Sequence, residues 1–244
     1  MNRSTRFGSV LCLLMALAIL FTSGFAFSGT GRTYSSGKSP FADVRKGDIV
    51  TLGTYEQDDN TRNGPEDIEW IVLAVEGDQA LVISKYCLTA REFHFTGRGG
   101  VNWEESDLRD WLNNDFYDEA FSDSDKEWIY LSDVPNGRLD NYGKHVYDTQ
   151  DHVFVLSSAE AKDYLKNKRL AAAQPTEFAL GEGIQHNKDN KCSWWWLRTN
   201  GSKNDRMVVV FSSGGISADN QTKHVTDTVG GVRPAIWISI DGKA

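Results

Sequence analysis

The chain has 244 residues, 40% of them hydrophobic and 25% charged, a balance that excludes disorder and suits one domain with a sizeable core or two small ones. Lys and Arg number 26 against 34 Asp and Glu, so the net charge is −8, and no basic stripe interrupts the acidity. That charge excludes nucleic acid and anionic membrane surfaces as well-matched partners.

At the N-terminus, Arg3 and Arg6 precede an apolar run from Val10 to Phe21, and small residues follow at Gly24, Ala26 and Ser28. This is the pattern of a secretory signal peptide, and its apolar part is shorter than the roughly 20 residues a membrane span needs. Residues 1–28 are expected to be the signal peptide, with an uncleaved anchor as the alternative. Either exports the rest, and no membrane insertion is expected after cleavage. Removing the two arginines takes the net charge to about −10. Cys12 falls inside the apolar run, leaving Cys87 and Cys192. Export permits a disulfide between them, and two buried thiols suit the sequence equally. Residues 29–43, rich in Gly and Ser, read as a flexible lead-in to a domain over 44–244.

The first element is a strand over Ile49 to Tyr55, followed by a polar, turn-rich stretch from Gln57 to Glu66. Ile68 to Val75 and Gln79 to Ser84 are β-branched runs separated by Glu76-Gly77-Asp78, which predicts a hairpin. Leu108, Trp111, Leu112 and Phe116 share one helical face from a start near Ser106, and Trp111 and Phe116 are expected in the core. Ser124 stands three residues before Glu127, and Ser157 three before Glu160, two capping patterns. Val153 to Leu156 reads as a strand and Ala171 to Lys191 as a long loop. The C-terminal third turns to strands at Trp194 to Arg198, Met207 to Phe211 and Ala235 to Ile240, the last entered through Pro234.

Familiar catalytic patterns are missing from the sequence: no HExxH, CxxC pair, DxDxDG loop or GxSxG elbow occurs. The five histidines show no i,i+4 spacing. Glu104 and Asp151 precede a helix and a strand, where helix entry and solvation explain them and a role as ligand acceptors is the sharper reading. Trp194-Trp195-Trp196-Leu197-Arg198 is more distinctive. In a strand, Trp195 faces opposite to its two neighbours, as core or as a platform for a sugar or peptide. Arg109, Arg198 and Arg233 sit beside aromatic or apolar sequence, where a guanidinium either braces carbonyls or anchors a ligand.

Several ordered pieces together carry a family resemblance. They are Ile68-Glu69-Trp70-Ile71-Val72-Leu73, the run from Asn102 to Asn113, Asp151-His152-Val153-Phe154-Val155-Leu156-Ser157, Trp195-Trp196-Leu197-Arg198-Thr199 and Gly231-Val232-Arg233-Pro234-Ala235-Ile236-Trp237-Ile238. Over Val44 to Ile240 the chain resembles the DUF6273 type of domain, found mainly in Firmicutes and often in exported or surface proteins. Where that family often reads WWLRSPG, this chain has Thr199-Asn200-Gly201, a change of turn. The resemblance implies no activity. It implies a layout similar to the C-type-lectin-like and formylglycine-generating-enzyme-like folds, with the C-terminal strand close to the N-terminal one. The acidic and Asn ligands of a lectin's calcium site and the cysteine pair of the second fold find no match in the sequence.

The expected fold is α+β: a single domain of small twisted, mainly antiparallel sheets, two or three short helices and long irregular loops. The expected function is a secreted or cell-surface, non-catalytic module that binds polysaccharide or a cell-surface protein. A carbohydrate-active or protein-modifying enzyme and a structural or adhesive surface protein are the alternatives. The expected ligand contacts are Trp195, Arg198, Asp151, Glu104 and Arg233, with no catalytic residue, no metal ligand and no cofactor, calcium alone being left open.

Overall fold

A computed structural model describes residues 39–98, 100–137, 143 and 145–244, all within one compact unit. The expected signal peptide and most of the lead-in lie outside the described residues. The lead-in does not reach residue 43: Phe41 is buried, its ring edge-on to Trp128 at 5.8 Å. A large aromatic ring placed there gains more from burial than a flexible segment would allow.

Three strands open the fold as an antiparallel meander: β1 (Ile49–Tyr55), β2 (Glu66–Glu76) and β3 (Gln79–Ser84). β2 alternates between buried and partly exposed residues along most of its length, whereas β3 is buried on both faces from Ala80 to Ser84, and Gly77-Asp78 closes the predicted hairpin. After β4 (Thr89–Ala90) the predicted amphipathic helix forms as two pieces, α1 (Asp107–Asn113) and α2 (Asp115–Ala120), broken at Asn114. Ser106 caps α1 by accepting the Arg109 N–H. The break leaves Phe116 fully buried but Trp111 only half-buried.

Ser122, rather than the expected Ser124, caps α3 (Asp123–Lys126), because the reciprocal bond comes from Asp125. A small ribbon follows, β5 (Ser132–Val134) paired with β6 (Thr149–Asp151). Ser157 and Glu160 form the predicted capping box of α4 (Ser158–Tyr164). The expected strand over Val153 to Leu156 contributes one bridge, Phe154 to Ala235. A short helix the sequence did not announce, α5 (Lys168–Ala171), ends where the expected loop begins, and that loop holds a second, α6 (Glu177–Gly181); Asn167 and Thr176 cap them. The chain ends in β7 (Trp195–Asn200), β8 (Arg206–Val210), β9 (Lys223–His224), β10 (Gly231–Val232) and β11 (Ala235–Ser239).

The strands make a four-stranded antiparallel sheet, β1-β2-β3-β11, and a five-stranded sheet, β4-β10-β7-β8-β9, in which β10 and β7 run parallel. The fold is therefore α+β, with short helices and small mixed and antiparallel sheets. β11 pairs with β3 at the edge opposite β1, so the C-terminal strand is not beside the first one as expected. The chain passes between the sheets twice. One crossing is residues 85–88, from β3 to β4, and the other is Arg233-Pro234, from β10 to β11. The crossings lie side by side: the Ser84 N–H donates to Pro234 O at 2.8 Å and the Leu88 N–H to Val232 O at 3.0 Å. Pro234 costs nothing there, since its carbonyl alone is used.

Candidate ligand-binding pocket

β7 is central in its sheet and covered on both faces, so Trp195 and Trp196 are buried, as is Trp194 just before the strand. Each indole N–H has a partner: Gln185 Oε1 for Trp194, Ala171 O for Trp195 and Arg91 O for Trp196. The expectation that Trp195 offers an open platform is corrected, because the ring is 0% exposed.

Arg198 is likewise internal. Its Nε donates to Asn136 Oδ1, Nη1 to Val155 O and Glu160, and Nη2 to Pro135 O and Glu160, so every N–H of the guanidinium is spent. Asn136 Nδ2 donates to Thr149 Oγ1, which donates to Asp151 Oδ2 at 2.7 Å. Asp151, fully buried, also accepts from Trp103 Nε1 at 2.8 Å and Arg109 Nε at 2.7 Å. The sequence thus nominated two ends of one polar network, but the network is closed on itself. Arg198 and Asp151 brace the ribbon, α1, α4 and β7 against each other, and both are buried out of a ligand's reach. Glu104 is half-buried in the loop before α1, where its backbone carbonyl accepts from Arg109 Nη1 at 3.3 Å.

Arg233 is different. It stands in the second crossing, is 1% exposed and lines a cavity of about 510 Å³. That size falls in the range of about 300–1,000 Å³ typical of small-ligand sites. Lys85 and Tyr86 enter the cavity from the first crossing, and Lys168, Arg169 and Leu170 from α5. Asn190 and Cys192, before β7, and Ser212 and Ser213, after β8, form the far wall. That wall is held by a close approach. Gly214 has φ +78°, and a Cβ there would lie 2.0 Å from the Lys168 carbonyl oxygen.

Arg233 Nε donates to Ser84 O at 2.8 Å, and Nη1 to Leu170 O at 3.0 Å and more weakly to Ala171 O at 3.4 Å. Its guanidinium lies 5.2 Å from the Trp195 ring centroid, and Trp195 donates to the same Ala171 carbonyl. Trp195 therefore backs the pocket as a support for Arg233. Burial pulls the Arg233 pKa down to about 10, which still leaves it charged at neutral pH. Burial pushes the Cys87 thiol up to about 12 and raises that of Cys192 as well, so neither supplies an anion. The two cysteines are free, buried thiols.

A family model described as a domain of unknown function, DUF6273, matches residues 77–240. The chain belongs to the DUF6273 family. The matched segment contains both crossings, α5 and the far wall, so nearly all of the pocket is built from DUF6273 residues; Ile71, on β2, is the exception. No curated protein and no solved structure matches the chain.

A second feature of this DUF6273 protein lies outside the matched segment. Glu56, Asp58 and Glu66 each place one carboxylate oxygen within 4.8 Å of the others. Burial, then the charges of Glu66 and Asp58, raise the Glu56 pKa against the lowering effect of a bond from the Asn60 N–H. Such a set of oxygens is consistent with the calcium that the sequence left open, an ion that takes about six to eight oxygen ligands. Sequence reading saw here only a polar turn. It also missed Lys85, Tyr86, Lys168 and Arg169, although Lys166-Asn167-Lys168-Arg169 is a dense basic run in an acidic chain.

Proposed function

We propose that the protein is a non-catalytic binding module, secreted or held at the cell surface, whose ligand is a polysaccharide or a cell-surface protein. The observation that carries this reading is the cavity at the sheet crossings, partly apolar and containing a buried guanidinium. Ile71, Tyr86, Leu170 and Ala172 give it apolar surface. Convergent polar groups in a largely apolar hollow are the usual makings of a ligand site. The signal-peptide pattern at residues 1–28 supports the location. Small sheets wrapped by short helices and long loops support a C-type-lectin-like architecture.

The reading is tested by calorimetric titration of the purified protein against bacterial and host polysaccharides and surface proteins, each repeated with pocket variants. Leu170→Asp puts a charge into the apolar wall, and its affinity should fall by about tenfold or more. Phe95→Ala, which removes an exposed ring that does not line the cavity, should bind as the parent does. Equal affinity of Leu170→Asp and the parent protein for every ligand found would contradict the assignment of the site.

A further inference from the structure

Lys85, Lys168, Arg169 and Arg233 line the cavity, and no carboxylate does. That composition is unusual in a chain of net charge −8. Lys85 is neutralised by Glu69 at 2.8 Å. Among the described residues, Lys168 and Arg169 have no carboxylate partner, and neither does Arg233. The Arg233 bonds fix Nε and Nη1 on backbone carbonyls, and Nη2 meets no acceptor among the described residues. A buried cation held only by neutral dipoles and an aromatic face is one charge short of balance. Nη2 is not among the sealed polar atoms of the described residues, so its acceptor is water or a group of a molecule that enters the cavity.

The rest of the lining narrows the chemistry. Gln174, Ser212 and Ser213 line the cavity, and the amide and the two hydroxyls are not engaged by other described side chains or backbone groups. Tyr86 and Leu170 offer flat or apolar surface beside them. Hydroxyl partners, an apolar ring face and one anion are together the recognition features of an acidic sugar.

We infer that the pocket holds a carboxylated sugar residue of a uronic-acid-containing polysaccharide, its carboxylate seated on Arg233 Nη2. This rests on the reading that the cavity is a ligand site. The carboxylate supplies the missing negative charge, and Lys168 and Arg169 face the neighbouring acidic residues of the chain.

The test is calorimetric titration of the purified protein with a galacturonic acid trisaccharide, its methyl ester, the neutral galactose trisaccharide and inorganic phosphate. The acid should bind, and the ester and neutral sugar should bind about tenfold more weakly or worse, the loss of a charge-assisted hydrogen bond. The rim double variant Lys168→Glu, Arg169→Glu should weaken acid binding and flatten its salt dependence. Arg233→Lys, which removes Nη2, should weaken acid binding about tenfold, and because Lys168 and Arg169 are exposed the rim variant remains informative if Arg233→Lys fails to fold. Equal binding of the acid and the neutral sugar, no binding of the acid, or displacement of the acid by equimolar phosphate would each overturn the inference. If the neutral sugar binds equally and Leu170→Asp abolishes that binding, the binding-module reading survives. If acid binding is indifferent to Leu170→Asp, both readings fall.

Discussion

Asp151 and Arg198 show how a charged residue beside aromatic sequence turns into a brace. Asp151→Ala strips the acceptor from a buried indole and from Arg109, and it should cost about 3 kcal/mol in urea unfolding. Arg198→Ala leaves Glu160 and two carbonyls without their donor and should cost a similar amount, again about 3 kcal/mol. His152 adds a pH dependence. Its ring is stacked on Tyr117 at 4.5 Å, and its Nδ1 is buried without a hydrogen-bond partner among the described residues. Burial lowers its pKa below the ordinary histidine value. The folded state therefore disfavours protonation. Its contribution to stability is complete above about pH 6.5 and is lost as pH falls through the lowered value. An NMR titration of the His152 ring should show that lowered midpoint, and a midpoint above the ordinary value would contradict it. The sequence flagged Arg233, Arg198 and Asp151 alike, since all three are polar residues among apolar ones. What separates them is how many of their donors and acceptors are already spent, and that depends on partners up to 149 residues away, as with Arg233 and Ser84.

Among the elements, those specified locally were legible. The β2–β3 hairpin, the Ser157–Glu160 capping box and β11 each follow from a run of a few residues, and Ser157→Ala should cost about 1 kcal/mol of stability. The amphipathic face of Leu108 to Phe116 was legible too, but not the break at Asn114 that divides it. That break explains a graded prediction. Phe116→Ala should cost about 3–5 kcal/mol. Trp111→Ala should cost less, because that ring is half-buried and one face carries Arg91 at 4.4 Å. Equal losses would mean that the two residues share one continuous buried face after all. α6 was read as loop and α5 was not recognised, because four or five residues give too little periodicity. Their caps, Asn167 and Thr176, were the available signal.

At the scale of the whole molecule, the site comes from topology. Two crossings between sheets, far apart in sequence, are brought side by side, and the cavity opens where they meet α5 and the turn after β8. No single motif encodes it, which is why the sequence yielded Arg233 but not Lys85 or Tyr86. Overall acidity hid a local excess of cations for the same reason. The most direct test of this account is a hydrogen-exchange comparison of the protein with and without a galacturonic acid oligomer. Slowed exchange in residues 84–88, 168–174 and 212–215, with the Glu56–Glu66 loop and the Phe95 loop unchanged, is the predicted result. Protection confined to either of those loops, or no protection at the crossings at a saturating oligomer concentration, would contradict it.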